Sequence, residues 1–151
     1  MKKITLITLI ASVLLLVSTS IDAKALALPE LPTKETSKQW SVEVTKPNTE
    51  DPNLAKAKKG VYHTYSLDVE NIGKDVRDVK VQLFRNEANS ITKYGLLPTT
   101  EPPQLSQKGG HPYRISNFGL SEKATDLNIV ITWKEQGAER LYQETFTFHQ
   151  K

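Results

Sequence analysis

Residues 61–71 read VYHTYSLDVEN and alternate between two kinds of side chain. One set of alternate positions carries Val61, His63, Tyr65, Leu67 and Val69, and the other carries mostly small or charged polar residues. Successive side chains of a β-strand point to opposite faces. This two-residue period therefore predicts a strand with one buried face.

The same period recurs on both sides of this stretch. The segments that carry it are residues 39–45, 76–85, 127–135 and 139–149, with shorter candidates at 90–97 and 111–118. Between the first two strong strands, residues 71–74 read NIGK and indicate a turn, because Asn and Gly tolerate positive φ. They predict that residues 61–71 and 76–85 form an antiparallel pair.

About seven short strands without a convincing helix indicate an all-β fold. Each half-apolar sheet must bury its face against another layer, so we expect an immunoglobulin-like antiparallel β-sandwich over residues 39–151. An up-and-down barrel is the alternative. It requires more regular strands than the proline-rich stretch at residues 98–112 allows, and this stretch is predicted to be a long surface loop.

The first 25 residues have the composition of a secretory signal peptide. Two lysines precede an apolar run at residues 4–17, and Ala23-Lys24-Ala25 places small residues where a signal peptidase reads them. Cleavage is predicted after Ala25, with Ala27 as the alternative. The apolar run is shorter than a bilayer span of about 20 residues, so a retained anchor is the weaker alternative. Residues 26–38, which read LALPELPTKETSK, are predicted to be a linker. The protein is therefore expected outside the cytoplasm, in the cell envelope or the extracellular medium.

Composition excludes several chemistries. The chain has no cysteine, so disulfides, thiol nucleophiles and thiolate metal sites are excluded. Its net charge is +3, and removal of residues 1–25 takes away three lysines and one aspartate, which leaves +1. A nearly neutral mature chain gives no reason to expect nucleic-acid binding, which depends on clustered Lys and Arg.

Residues 69–81, VENIGKDVRDVKV, resemble the strand–Asn-x-Gly–strand segment of bacterial cell-surface immunoglobulin-like and fibronectin-like modules. The resemblance covers about twenty residues, and the likeness is to cysteine-free bacterial relatives. It implies that the first strand ends at the Asn, that the Gly makes the turn and that the alternating valines enter the core. It also implies an adhesion, spacer or interaction role, and it transfers no catalytic residues.

No local pattern predicts an enzyme, a metal site or a cofactor. His63, His111 and His149 are too far apart in sequence for a local ligand motif. The chain has no G-x-S-x-G nucleophile motif and no phosphate-binding glycine loop. Residues 48–53 carry four oxygen-bearing side chains but lack the order of a calcium loop, so a capped, solvated turn is the favoured interpretation.

Two surfaces are candidates for binding. Tyr94 and Tyr113 flank the loop at residues 97–112, and exposed tyrosines there offer contact area at low entropic cost. The densest basic cluster is Lys56, Lys58 and Lys59, which suits an anionic wall polymer or lipid headgroups.

We therefore expect an exported, non-catalytic binding or interaction module whose partner is a protein or a cell-envelope polymer. Two alternatives stay open. One is a small secreted enzyme or metal-binding protein with a site assembled from distant loops. The other is a structural part of an envelope assembly that offers an edge strand for β-augmentation.

Overall fold

The computed structural model describes residues 26–96 and 103–151. The predicted signal peptide and residues 97–102 lie outside the described residues. Over the described part, the chain forms eight β-strands and one short 3₁₀ helix, Pro103–Ser106. The strands are β1 (Thr33–Thr36), β2 (Trp40–Thr45), β3 (Tyr62–Asn71), β4 (Val76–Glu87), β5 (Tyr94–Gly95), β6 (Tyr113–Ser121), β7 (Ala124–Glu135) and β8 (Leu141–His149).

The strands form two antiparallel four-stranded sheets. The first sheet has the order β1–β2–β3–β6, and the second has the order β5–β4–β7–β8. The buried alternate positions of both sheets form one hydrophobic core. At its centre Trp40 of β2 meets Trp133 of β7 edge to face, with ring centroids 5.5 Å apart. The prediction of an all-β sandwich is confirmed.

The predicted pairing of residues 61–71 with residues 76–85 is wrong. β3 pairs with β2 and β6 in the first sheet, whereas β4 pairs with β5 and β7 in the second. The turn between them therefore crosses from one sheet to the other. Gly73 in this turn does not have positive φ. A side chain there would collide with Gln39, so close approach explains the glycine.

Asn71 holds this crossing together. Its side chain is buried, and its Nδ2 donates to the carbonyls of Lys74 and Leu105 at 2.9 and 3.1 Å. Its Oδ1 accepts from Gln39 Nε2 at 2.7 Å and from the N–H of Gly73 at 3.1 Å. One asparagine therefore satisfies backbone groups of the turn and of a loop 34 residues away.

Residues 26–38, predicted to be a linker, belong to the sandwich. β1 pairs with β2, and Ala27 exchanges two backbone hydrogen bonds with Lys151. Leu28 is buried, and its N–H donates to the Tyr65 hydroxyl at 3.2 Å. Burial raises the pKa of Tyr65 above the usual phenol value. The linker prediction failed because β1 has four polar residues, which give no apolar alternation.

The described part of the proline-rich loop is attached to the core. Leu105 of the 3₁₀ helix is 1% exposed. The backbone N–H of Gly109 donates to the Asn71 carbonyl at 2.8 Å, and that of Lys108 donates to Asp75 Oδ1 at 2.8 Å. The described part, from the 3₁₀ helix onward, is therefore held against the sheet-crossing turn and is not the free surface loop that the sequence predicts.

Candidate binding site

The loop between β2 and β3, residues 46–61, carries the basic cluster and is called the β2–β3 loop below. Its polar side chains make local turns. Asn48 Oδ1 accepts from the N–H of Glu50 at 2.8 Å, and Asp51 Oδ1 accepts from the N–H of Asn53 at 2.9 Å. These contacts are those of Asx turns. They agree with the capped turn that the sequence favoured over a calcium loop.

Asn117 of β6 fixes this loop to the first sheet. Its Oδ1 accepts from the N–H of Asn48 at 2.7 Å, and its Nδ2 donates to the carbonyl of Asn48 at 2.7 Å. The amide therefore pairs with both backbone groups of Asn48, as a neighbouring strand would. A third bond runs from Nδ2 to the carbonyl of Ala55 at 2.9 Å. Asn117 is 6% exposed and has a φ of 51°, in the left-handed region that asparagine tolerates.

Two cavities lie on either side of this contact. One has a volume of about 290 Å³ and is bounded by the loop and by Thr64 and Asn117 of the first sheet. Its loop side is formed by Pro47, Asn48, Thr49, Asp51, Ala55, Lys56 and Ala57. The other has a volume of about 380 Å³ and is polar, with Lys46, Glu50, Ser66 and Arg114 among its lining residues.

The three lysines of the basic cluster lie on the same half of this loop, and all three are exposed. Lys56 lines the smaller cavity, while Lys58 pairs with Tyr62 at the base of the loop. Gly60 follows them, and its N–H donates to Glu122 Oε1 at 2.9 Å. The loop is thus attached at Asn117 and at Glu122, with the lysines between the two points.

The polar cavity offers less positive charge than its residues imply. Arg114 makes two hydrogen bonds of 2.7 Å to the Asp68 carboxylate, which is the geometry of a bidentate ion pair. This pairing raises the pKa of Arg114. Asp68 therefore offsets the charge of Arg114, whose side chain is 67% exposed, and Lys56, Lys58 and Lys59 are the further exposed cations of this surface.

The two tyrosines lie on edge strands of different sheets. Tyr94 belongs to β5 and is 37% exposed, and the guanidinium of Arg85 lies 4.9 Å from the centre of its ring. Tyr113 begins β6 and packs against the hydrophobic core. Residues 97–102, which lie between them in the predicted recognition loop, are outside the described residues. The tyrosine surface stays a prediction.

The histidines form no common site. His111 is exposed in the loop before β6. His63 is half-buried, with its Nε2 3.9 Å from Glu122 Oε1, and His149 Nδ1 lies 2.5 Å from Asp126 Oδ1. Among residues 26–96 and 103–151, no three His, Asp or Glu side chains lie together as a metal site. The same residues contain no helix that is long and apolar enough to cross a membrane.

Asn117 is the residue that sequence reasoning missed. It interrupts the strand segment at residues 111–118 with an amide, and a lone asparagine in a strand is an uncommon choice. That signal indicates local irregularity, but it does not identify a partner 69 residues away.

Comparisons with known proteins place the chain in one family. The model of the YozF-like secreted proteins matches residues 24–151. The uncharacterized protein YozF of Bacillus subtilis (strain 168) is 36% identical over 138 residues, which is 83% of each chain. No solved structure matches the chain.

Proposed function

The chain belongs to the YozF-like secreted protein family and is exported, and we propose that it is a non-catalytic binding module for an anionic polymer of the bacterial cell envelope. The binding surface is the β2–β3 loop with Lys56, Lys58 and Lys59. The observation that carries the proposal is the attachment of this basic loop, through Asn117, over a cavity on the outer face of the first sheet.

The strand order supports an immunoglobulin-like arrangement. In that fold, strands A, B and E share one sheet and strands C, F and G the other, and a C′ strand can extend the second. If β2, β3 and β6 are A, B and E, then β5–β4–β7–β8 has the order C′–C–F–G. Such sandwiches are rigid scaffolds whose loops bind partners. The β2–β3 loop is the A–B loop of this scheme.

Charge supports an anionic ligand. Residues 46–60 contain four lysines and two acids, whereas the whole mature chain is close to neutral. Each lysine near an anionic surface contributes on the order of 1 kcal/mol. Such binding weakens as salt rises, because exposed charges are screened.

The surroundings of the polar side chains support a non-catalytic role. In the described part of the chain, His149 is hydrogen-bonded to Asp126, whose carboxylate also accepts from the Thr125 hydroxyl and from Asn86 Nδ2. Among these residues two of the histidine side chains contact carboxylates, those of Asp126 and Glu122, whereas an activated nucleophile requires a hydroxyl or thiol beside the base.

Binding to purified cell walls tests the proposal. The test variant carries Lys56→Glu, Lys58→Glu and Lys59→Glu. The control carries Lys34→Glu, Lys38→Glu and Lys93→Glu, which are exposed lysines outside the loop and give the same net charge. We expect the loop variant to lose at least about a hundredfold in affinity, from about 1 kcal/mol for each of the three lysines, and the control to bind nearly as the wild type does.

The same experiment separates the alternatives. Walls stripped of their anionic polymer should bind the wild type weakly. Equal losses in both triple variants would mean that net charge alone drives binding, and no loss in either would overturn the proposal. A variant with Tyr94→Ala and Tyr113→Ala tests the other surface. If this variant loses binding while the loop variant keeps it, the tyrosines form the binding surface.

A further inference from the structure

The four outer strands of the sandwich differ in how they are protected from pairing with another chain. Exposed edges invite strand addition, and proteins block them with short strands, charges, prolines or bulges. β1 has four residues, two of them charged, directly after Pro32. β5 has only two residues. β6 carries the left-handed Asn117 and pairs with β3 across an irregular register.

β8 carries only one of these devices, the charge of Glu144. It has nine residues, LYQETFTFH, with no lysine, arginine, proline or glycine. Its register with β7 runs without interruption from Asp126↔His149 to Lys134↔Leu141. Among the described residues, no other strand pairs with it. β8 is therefore a long and regular edge with a single acidic residue, and Leu28, Pro29 and Glu30 line a common cavity with its last residues, Thr147–His149.

The direction of its free backbone groups follows from the bonds at its end. The N–H of Gln150 donates to the carbonyl of Thr125 in β7, whereas Lys151 exchanges two bonds with Ala27 on the opposite side. Hydrogen-bonding direction alternates along an antiparallel strand. The odd-numbered residues of β8, from Leu141 to His149, therefore point their N–H and C=O groups outward.

We propose that β8 pairs with β8 of a second copy of this chain, antiparallel and about a two-fold axis at Thr145. This proposal is independent of the polymer-binding function. In this register the outward-pointing residues face each other, and all nine residues of β8 are paired. The outward groups then form about ten backbone hydrogen bonds between the copies.

Side chains favour this register over its neighbour. With the axis at Thr145, each Tyr142 faces a Phe148, and Glu144 faces Phe146. Aromatic cross-strand pairs stabilise sheets. With the axis moved to Glu144, the two glutamates would face each other, and like charges directly opposite destabilise. The pairing also ends at His149, just before Ala27 occupies the edge at Lys151.

Charge substitutions at Thr145, on the axis, test the proposal. The protein is residues 26–151, and sedimentation equilibrium measures the dissociation constant of the dimer. Thr145 is exposed, so neither Lys nor Glu there disturbs the core. We expect the wild type to dimerise, and Thr145→Lys and Thr145→Glu each to raise the dissociation constant by about two- to fivefold, because like charges then face each other at the axis. Mixing the two variants should restore the dimer, because Lys then faces Glu.

Two results would overturn the proposal: a wild type that stays monomeric at every concentration reached, or dimers whose affinity Thr145→Lys leaves unchanged. Failure of the mixture to dimerise would also overturn the register at Thr145. Thr36→Lys, on the edge strand of the other sheet, is the matched control and should dimerise as the wild type does. Thermal unfolding of each variant checks that it is folded.

Discussion

Two buried asparagines, Asn71 and Asn117, bind loops that are distant in sequence, and they serve different parts of the molecule. Asn71 is 1% exposed and links the turn between the sheets to the loop that carries Leu105. Asn117 is 6% exposed and links the first sheet to the β2–β3 loop. Each amide donates to two backbone carbonyls and accepts from a backbone N–H.

The difference lies in what each loop covers. Leu105 beside Asn71 is part of the hydrophobic core, so that loop closes the space between the sheets. The loop held by Asn117 lies outside the sandwich and carries solvent-facing lysines. The same side-chain chemistry therefore supports the fold at one position and a candidate binding surface at the other. Substituting each asparagine separates the two roles.

The largest effect is expected from Asn71→Ala. The change removes the partner of the buried Leu105 carbonyl and an acceptor for Gln39 and Gly73. A buried polar group left without a partner costs about 1–3 kcal/mol, so we expect a loss of about 2–4 kcal/mol in the free energy of unfolding. Chemical denaturation measures this loss, with Asn53→Ala on the exposed loop as the control. A loss below about 0.5 kcal/mol, the usual range for surface substitutions, would show that Asn71 does not hold the sheet crossing.

Asn117→Gly should have a smaller effect on stability and a larger one on the loop. Glycine accepts the positive φ of this position, so the change removes the amide without adding backbone strain. We expect a loss of about 1–2 kcal/mol, because the freed groups of Asn48 and Ala55 regain water when the loop lifts. Hydrogen exchange should become faster in residues 48–57 and stay unchanged around Asn71. Faster exchange in both regions would contradict the separation of roles.

How far the sequence predicts this architecture depends on the kind of information required. Alternation identifies which residues face the core, and Val42, Leu67, Val81 and Ile131 are all buried as their patterns indicate. It does not say which strands share a sheet. The Asn-x-Gly signal therefore predicts a hairpin, whereas the turn at Asn71 crosses between the sheets.

The parts that sequence reasoning missed depend on single contacts over long distances. Leu105 is one apolar residue in a proline-rich stretch, and β1 has four polar residues. Neither segment therefore shows the alternation of apolar and polar residues that predicts a strand. Asn117 meets a loop 69 residues away. Composition alone identifies the basic cluster. It does not predict the attachment of the cluster's loop over a cavity, because this attachment depends on how the chain folds.

The smallest effect is expected from Asp126→Asn, which replaces a charged carboxylate by an amide. Burial raises the pKa of Asp126, but the hydrogen bonds from His149, Thr125 and Asn86 outweigh it, so the pKa lies below the usual carboxyl value. A lowered folded-state pKa stabilises the protein above the unfolded-state value of about 3.9, and this contribution is lost as the pH falls through the folded-state pKa.

The stability difference between wild type and Asp126→Asn should therefore be greatest near neutral pH and shrink on acidification below about pH 4. Its magnitude should stay below about 1 kcal/mol, because His149 is largely exposed and solvent screens the pair. Denaturant titrations at several pH values measure it. Asparagine amides do not ionise, so the differences caused by Asn71→Ala and Asn117→Gly should not follow this pH course. A pH-independent difference for Asp126→Asn would show that the pair with His149 affects stability through packing rather than through charge.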